Sequence, residues 1–268
     1  MHIALTIAGS DSSGAAGIQA DLKTFAALGV YGVSAMTAVT AQNTAGITSI
    51  EALAADRVTE QIEAVAGDVT IHATKIGMLA TSAIVEAVAA AISELELPMV
   101  VLDPVIASTS GTRLLDDEGI QAMLTELIPR VRVITPNLPE AEVLSGRRIA
   151  SPDDAREAAR RIRDLGAGAV IIKGGHRRDA EIVDLLLDGD AFTEYRTPRV
   201  TGPAARGTGC AFASAVAAHL AAGHSLTHAT ACAQEYVAGA LRHALTIGHG
   251  RAVLDHFWKA RPHANTVY

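Results

Sequence analysis

Two glycines and a cysteine open a helical run late in the chain. In "ARGTGCAFASAVAAHLAAG", residues 205–223, Gly207 and Gly209 flank Thr208 and lead directly into Cys210. Glycines let successive N–H groups turn toward one point, and a helix N-terminus adds a potential that favours an anion. The segment therefore predicts an anion site where a transferring phosphoryl group would be stabilised. The alternative is a glycine-assisted helix start without a ligand.

Cys210 falls in the first turn of this predicted helix. The helix potential there is expected to lower the pKa of a thiol from about 8.5. A core thiol would be inert, and a nucleophile would need a histidine partner, which none of the ten histidines is spaced to supply. The remaining interpretation is a base that takes a proton from an alcohol beside the anion site.

Two carboxylates follow predicted strands. Asp103 ends "MVVLDP", and Glu140 closes "NLPE" (137–140), which follows "VRVITP". Hydrated Mg²⁺ prefers carboxylates, waters and phosphate oxygens, so the pair predicts a magnesium site. The alternatives are a strand terminator and a favourable first-turn residue of a helix. Lys173 in "IIKGG" ends a buried strand, where it needs a partner or a ligand phosphate.

The turn "GSDSSGAAG" (9–17) has glycines but no nucleotide-binding fingerprint. Gly9 and Gly14 have the G-x4-G spacing, but Ala-Ala follows where a P-loop needs Lys and Ser or Thr, and the Rossmann pattern also fails. The turn either joins a strand to a helix with small residues or lets the backbone and Asp11 approach a small ligand.

Two further side chains follow predicted strands. Gln42 could bind the edge of a heterocycle, and Met78 could present a polarizable face to a flat ring. Turn capping and ordinary packing are the alternatives.

The composition is that of an ordinary globular protein. Hydrophobic residues make up 49% of the chain and charged residues 19%, and the net charge of −7 argues against nucleic acid or an anionic membrane as a partner. No apolar run approaches about 20 residues, and "MHIALTIAGSD" predicts a first strand, not a signal peptide. We expect a cytoplasmic protein with Cys210 and Cys232 reduced.

Apolar segments rich in β-branched residues alternate with segments of helical period. This alternation predicts one α/β domain over residues 1–268, with a mostly parallel sheet covered on both faces and ligands beyond the carboxyl ends of its strands. Strands are predicted at 3–8, 33–41, 47–53, 72–77, 99–104, 131–136 and 168–175, helices at 17–29, 56–67, 81–95, 116–128, 139–145, 153–165 and 207–245, and a β-hairpin at 181–200.

Several motifs together carry a resemblance to a known family. They are "TIAGSDSSGAAGIQADLKTFAALGVYG", "TAVTAQNT", "KIGML", "VLDPV", "TPNLPEAEVLSG", "IIKGGH" and "GTGCAFASA". Over residues 3–245 the chain resembles the hydroxymethylpyrimidine/phosphomethylpyrimidine kinases of thiamine synthesis, in the ribokinase-like superfamily. The resemblance implies a three-layer α/β/α sandwich and a homodimer. It also implies phosphorylation by Mg-ATP of 4-amino-5-hydroxymethyl-2-methylpyrimidine and then of its monophosphate.

The resemblance also implies roles for individual residues. Gly207, Thr208 and Gly209 would form the anion hole, and Cys210 would draw the proton from the substrate hydroxyl. The magnesium set would be Asp103, Asn137 and Glu140. The pyrimidine pocket would be Gly9, Ala16, Thr40, Gln42, Met78 and Val105, next to Asp11, and the nucleotide side would hold Lys173 and Gly175. Arg206 stands where the family usually has histidine, and could add a cation beside the phosphates or disturb the loop.

Two other functions stay open at this point. A pyridoxal or pyridoxine kinase would bind a similar flat, methylated heterocycle with a hydroxymethyl group. A non-catalytic sensor of ATP or pyrimidine would use the same fold without its chemistry.

Overall fold

The fold is built on a nine-stranded sheet. The computed structural model describes residues 1–108, 111–176, 180–202 and 204–260. Its strands are β1 (Ile3–Asp11), β2 (Tyr31–Gln42), β3 (Ile47–Ala52), β4 (Ala73–Ile76), β5 (Val100–Leu102), β6 (Val133–Ile134), β7 (Ala169–Ile172), β8 (Glu181–Asp188), β9 (Ala191–Pro198), β10 (Ala205–Arg206) and β11 (Ala252–Val253). The first nine strands form the main sheet, and β10 and β11 pair separately.

The central strands of the main sheet are parallel. The order is β3-β2-β1-β4-β5-β6-β7-β8-β9, and the pairs from β2 through β7 run parallel. Antiparallel pairs attach β3 at one edge and β8 and β9 at the other. The carboxyl ends of β1, β2 and β4 to β7 therefore open on one edge of the sheet, where ligands gather in such folds.

Helices cover both faces of this sheet. They are α1 (Gly17–Ala27), α2 (Ala55–Ala66), α3 (Ser82–Glu94), α4 (Asp117–Ala122), α5 (Leu138–Ser145), α6 (Pro152–Asp164), α7 (Thr208–Ala221) and α8 (Leu226–Arg242). Among the described residues, none of these helices is both long enough and apolar enough to cross a membrane.

Two apolar layers hold the helices to the sheet. Leu5 and Ile7 of β1 pack in the layer of α2 to α6. Their neighbour Ala4 packs on the opposite face, in the layer of α1, α7 and α8. Successive residues of a strand point to opposite faces, so strands buried on both faces are apolar throughout. The α/β fold with a mostly parallel sheet and three layers, expected from the sequence, is confirmed.

Two segments predicted to be helical are helical, but neither is one continuous α-helix. The helix expected at 116–128 ends at Ala122 and continues as a π-helical turn over Met123–Leu127 and a 3-10 turn over Ile128–Arg130, where Pro129 has no N–H to continue the ladder. The run at 207–245 is two helices, because the chain turns at Gly223 before Ser225 caps α8.

Candidate active site

The loop between β1 and α1 is shaped by the carboxylate of Asp11. Its two oxygens accept hydrogen bonds from the backbone N–H groups of Ser13, Ala15 and Ala16, and from the Ser13 hydroxyl. The side chain is buried. These contacts make Asp11 a support of the loop that carries Ala16, and its approach to a ligand stays a prediction.

The N-terminus of α7 lies on this loop. Gly207 is the N-cap and has a left-handed φ of +82°. A Cβ built on it would stand 1.9 Å from the carbonyl oxygen of Ala15. Two residues farther, a Cβ on Gly209 would stand 3.3 Å from Nζ of Lys173 and 3.6 Å from a carboxylate oxygen of Asp103. The predicted anion loop therefore joins the β1–α1 loop on one side to a lysine and a carboxylate on the other.

Cys210 occupies the first turn of α7, where the backbone N–H of Gly17 is close enough to lower the pKa of the thiol. Burial raises the pKa of the thiol to about 11, against the attraction of Lys75. The expectation that the helix N-terminus would lower this pKa is wrong, because desolvation of the thiolate outweighs it. The thiol does not pair with Cys232, and both cysteines are free.

Lys173 finds its partner in Asp103. Their Nζ and Oδ1 atoms are 2.7 Å apart, and both side chains are largely buried. Burial alone would lower the pKa of Lys173, but Asp103 and Glu140 raise it above its ordinary value. The strand ends of β5 and β7 thus present a fixed cation next to the first turn of α7.

Glu140 and Asn137 form a capping box at the start of α5. The Asn137 side chain accepts from the Glu140 N–H at 2.9 Å, and the Glu140 carboxylate accepts from the Asn137 N–H at 2.8 Å. Burial, together with the charge of Asp103, raises the pKa of Glu140 to about 7 against the attraction of Lys173. The first-turn alternative for Glu140 is therefore realised, beside any metal role.

The carboxylates of Asp103 and Glu140 fit Mg²⁺ by their chemistry. The two carboxylates are close enough for the charge of Asp103 to raise the pKa of Glu140, although the attraction of Lys173 has the larger effect and lowers it. Mg²⁺ is usually held by one or two carboxylates with waters and phosphate oxygens, so a pair is enough. No group of three or more His, Cys, Asp or Glu in the described part of the chain could hold a metal by itself.

A small apolar cluster lies apart from the two main layers, at the carboxyl ends of β1, β2, β4 and β5. Met78 and Leu114 are buried in it, and Val105 packs against them. A Cβ on Gly9 would stand 3.1 Å from the sulfur of Met78. Four strand ends thus bring predicted pocket residues together around a surface that suits a flat ring.

Thr40 and Gln42 lie at the rim of this cluster, at the end of β2. The Thr40 hydroxyl donates to the Ser10 carbonyl at 2.9 Å, and the Gln42 side-chain oxygen lies 3.4 Å from that hydroxyl. The backbone of Gln42 exchanges hydrogen bonds with the hydroxyl of Ser12. Thr40 therefore anchors β2 to β1, while the half-buried Gln42 amide borders the cluster.

Arg206 and Gly175 lie on different sides of the site. The guanidinium of the buried Arg206 donates to the carbonyl of Asn43 at 3.1 Å, directly after Gln42. Gly175, in the short 3-10 turn Gly174–His176, is exposed and accepts from Arg199. The expected role of Arg206 beside the phosphates stays a prediction, and its guanidinium lies one residue from Gln42 of the predicted pyrimidine pocket.

The sequence analysis missed a buried polar network beneath α7. Lys75 of β4 pairs with Asp21 of α1, and Ser214 of α7 donates to the same carboxylate. A signal was present, because Asp21 stands three residues after Ile18 and four before Phe25, on the apolar stripe of α1.

Comparison with known proteins identifies the family. Residues 11–255 match the model of the family described as phosphomethylpyrimidine kinase. The chain belongs to this phosphomethylpyrimidine kinase family. It is therefore an ATP-dependent kinase, and a non-catalytic sensor is set aside.

Relatives of this kinase agree over nearly its whole length. It is 46% identical over 267 residues to the hydroxymethylpyrimidine/phosphomethylpyrimidine kinase of Bacillus subtilis, covering 99% of this chain and 98% of the relative. It is 44% identical to the thiamine biosynthesis bifunctional protein ThiED of Geobacter sulfurreducens, covering 96% of this chain but only 52% of that longer protein.

Solved structures share the fold of this kinase. The pyridoxal kinase of Bacillus subtilis, in an ADP complex, superposes with a TM-score of 0.89 at 37% identity, covering 97% of this chain and 100% of that one. The phosphomethylpyrimidine kinase of Clostridium difficile 630 gives a TM-score of 0.80 at 40% identity, covering 88% and 98%. The ribokinase-like fold implied by the sequence is confirmed.

Proposed function

We propose that this kinase phosphorylates the hydroxymethyl group of 4-amino-5-hydroxymethyl-2-methylpyrimidine and then the resulting monophosphate. The observation that carries the proposal is the meeting of three features at one sheet edge in a chain of this family. The features are the α7 N-terminus with Cys210, the Lys173–Asp103 pair beside it, and the apolar cluster around Met78.

Cys210 is the proton acceptor for the first step. The proton of the substrate hydroxyl moves to the ionised sulfur as the hydroxyl oxygen bonds to the terminal phosphorus of ATP, and the bond from that phosphorus to ADP breaks. With a pKa of about 11, about one thiol in a thousand is ionised at pH 8 before substrate binds. The second step needs less help, because a phosphate monoester is largely ionised above its second pKa of about 6.

Backbone N–H groups of Gly207, Thr208 and Gly209 stabilise the transferring phosphoryl group. Four N–H groups at the start of α7 lack partners within the helix, and their dipoles favour an anion. Lys173 adds a fixed positive charge on the nucleotide side, next to Gly209. Catalysis of phosphoryl transfer is mostly such positioning and electrostatic stabilisation.

Asp103 and Glu140 would hold Mg²⁺, with Asn137 fixing the Glu140 carboxylate through the capping box. The bound ion would neutralise charge on the phosphate oxygens of the nucleotide. Because the pKa of Glu140 is about 7, this carboxylate is ready to bind the ion at and above neutral pH.

The pyrimidine ring binds on the apolar cluster. Met78 and Val105 supply its apolar surface, Gly9 leaves the space that a side chain would fill, and Gln42 offers an amide to the ring nitrogens. Ala16 and Thr40 close the pocket from the β1–α1 loop and the end of β2.

Pyridoxal phosphorylation is the second candidate function. One observation favours it: pyridoxal kinases of Bacillus subtilis and Staphylococcus aureus superpose with TM-scores of 0.89, and the latter structure contains AMP-PCP and pyridoxal. Pyridoxal is also a flat heterocycle with a hydroxymethyl group, so the apolar cluster fits both rings.

Three further proposals concern the domain organisation, the oligomeric state and the cellular location. We propose one kinase domain over residues 1–268, of which 261–268 lie outside the described residues. A homodimer is supported by the edge strand β3 and by Tyr31 and Val39 of β2, which are exposed. Two free thiols support a cytoplasmic location.

Release of ADP tests the proposed function. The purified kinase is mixed with Mg-ATP and, in separate reactions, with the hydroxymethylpyrimidine, its monophosphate, pyridoxal or no acceptor. ADP release that depends on either pyrimidine, and that exceeds release with pyridoxal, supports the proposal. Release with pyridoxal alone would replace it with the second candidate.

A further inference from the structure

Four polar side chains meet in the interior between the sheet and helices α1 and α7. Nζ of Lys75 lies 2.8 Å from Oδ2 of Asp21, and both side chains are fully buried. The Thr6 hydroxyl donates to the same oxygen at 2.6 Å, and the Ser214 hydroxyl donates to Oδ1 at 2.7 Å. Replacing a buried ion pair with apolar residues is often neutral or stabilising, so stability is a weak reason for this one.

The ion pair with Asp21 does not occupy all the hydrogen-bond donors of the Lys75 ammonium. It has three N–H donors, and within the described residues Asp21 is the hydrogen-bond partner of its Nζ. The charge of Asp21 is in turn shared among three donors. Part of the positive potential of Lys75 is therefore free to act on another group nearby.

That group is the sulfur of Cys210. Ser214 stands four residues after Cys210, one helical turn away on the same face of α7. A Cβ on Gly77 would stand 2.7 Å from Nζ of Lys75, so the ammonium reaches toward the carboxyl end of β4, the edge of the sheet where α7 begins. The network thus extends from the interior toward the thiol.

Charges face Cys210 from four elements. They are Lys75 of β4, Asp21 of α1, Asp103 after β5 and Lys173 after β7. Burial raises the pKa of the Cys210 thiol. Among the neighbouring charges, Lys75 has the largest effect on this pKa, and it lowers it. Burial alone would lower the pKa of Lys75, but Asp21, Cys210 and Asp103 raise it, so Lys75 keeps its charge at working pH.

We propose that Lys75 is a positioning residue whose buried ammonium stabilises the thiolate of Cys210, while Asp21 and Ser214 set how much of that charge reaches the sulfur. In the transfer step the substrate O–H bond breaks and an S–H bond forms on the Cys210 thiolate, the substrate oxygen bonds to the terminal phosphorus of ATP as the bond to ADP breaks, and Lys75 keeps its three protons. The effect on catalysis rests on the proposed role of Cys210 as base; the effect on the thiol does not.

Alkylation of Cys210 by iodoacetamide at pH 8, 9 and 10, followed by mass spectrometry, measures the thiolate directly. A Cys232→Ser background removes the other thiol, whose described contact is with His228. Lys75→Met should slow alkylation at least tenfold at pH 9. Asp21→Asn should speed it several-fold, because an unopposed Lys75 attracts the thiolate more strongly. Ser214→Ala should slow it two- to threefold, because Asp21 then neutralises Lys75 more fully.

Local loosening of the fold would expose the thiol and speed alkylation in every variant, so the pattern slower, faster, slower is specific to the electrostatic role. Equal rates, or the same direction in all three variants, would overturn the proposal. If Lys75→Met does not fold, the opposite shifts of Asp21→Asn and Ser214→Ala decide. Phosphorylation of the pyrimidine alcohol is followed in parallel: shifted alkylation with unchanged kcat would refute the base role of Cys210 and leave the role of Lys75 standing.

Discussion

Gly207 lies against the carbonyl oxygen of Ala15, so close that a Cβ on Gly207 would stand 1.9 Å from that oxygen. This contact seats the N-terminus of α7 on the β1–α1 loop. The two loops that carry the predicted anion hole and Ala16 are therefore fixed relative to each other by the absence of a side chain at one position.

Gly207→Ala should abolish most activity and destabilise the fold, because the methyl group must push the two loops apart. Gly223→Ala is the matched control: it has the same φ of +82° at the other end of α7, but no atom lies within 4 Å of its Cβ position. The control should cost about 1 kcal/mol from φ strain alone and keep its kcat. Stability is measured by thermal unfolding and kcat by steady-state kinetics. Equal losses of stability and of kcat in both variants would show that the contact with Ala15 does not contribute to activity.

Cys210→Ala should harm the two phosphorylations unequally. A general base contributes about 10²–10⁴-fold, so kcat on the pyrimidine alcohol should fall by that factor. The monophosphate acceptor is already ionised near pH 7, and its kcat should fall tenfold or less. Rates for each acceptor are measured separately with the same enzyme preparation. A loss of equal size on both acceptors would argue against a base role.

The pH profile of wild-type enzyme offers a check on the same residue. Because the thiol pKa is raised to about 11, kcat on the alcohol should keep rising from pH 7 to 9 while kcat on the monophosphate levels off. A plateau below pH 8 for the alcohol would mean that a different group accepts the proton.

Glu140 should make the metal-free protein less stable as pH rises. Its pKa is raised from 4.5 to about 7, so the folded state holds a proton that the unfolded state releases. Stability is thus lost between about pH 4.5 and 7, by about 3 kcal/mol. Glu140→Gln keeps an oxygen to accept from Asn137 but does not titrate. In EDTA, its stability relative to wild type should rise from pH 5 to pH 8; a constant difference would contradict the raised pKa.

Arg206 should affect the acceptor more than the nucleotide, because its guanidinium contacts Asn43 at the end of β2. From this position the guanidinium is expected to donate to the phosphate of the monophosphate acceptor, and a charge-assisted hydrogen bond of this kind contributes about 1.5–3 kcal/mol. Arg206→Gln should therefore raise KM for the monophosphate at least tenfold, with smaller changes in KM for the alcohol and for ATP, and Arg206→Lys should be intermediate. A change mainly in KM for ATP would contradict this prediction and indicate that Arg206 acts on the nucleotide.

Much of the fold could be predicted from local patterns. Apolar strands such as "AVII" of β7 are buried on both faces, and the alternation with helices gives the parallel sheet without any long-range information. The break after Ala122 could not be predicted, because the helical period continues across it, whereas the turn at Gly223 was missed although Gly223 and Ser225 are typical helix end and start residues. Their ends are set by Pro129 and by the seating of α8.

The candidate site was predictable as a set of strand ends, but not in its electrostatics. The sequence placed Cys210 at a helix N-terminus and from this predicted a lowered pKa. Burial decides that pKa instead, and it is modified by the charges of Lys75 and Asp21, which are distant in sequence and whose pairing no local pattern shows. The role of Asp11 in supporting the β1–α1 loop could not be predicted either, because its four loop contacts form only when the loop is folded.

A competition experiment tests the central claim most directly. The kinase is incubated with Mg-ATP and equal concentrations of the hydroxymethylpyrimidine and pyridoxal, and products are followed over time by mass spectrometry. We predict that pyrimidine monophosphate appears first and is converted to the diphosphate, with pyridoxal phosphate a minor product, and that Cys210→Ala delays the monophosphate. Pyridoxal phosphate as the dominant product, or no pyrimidine diphosphate at any time, would contradict the proposed function.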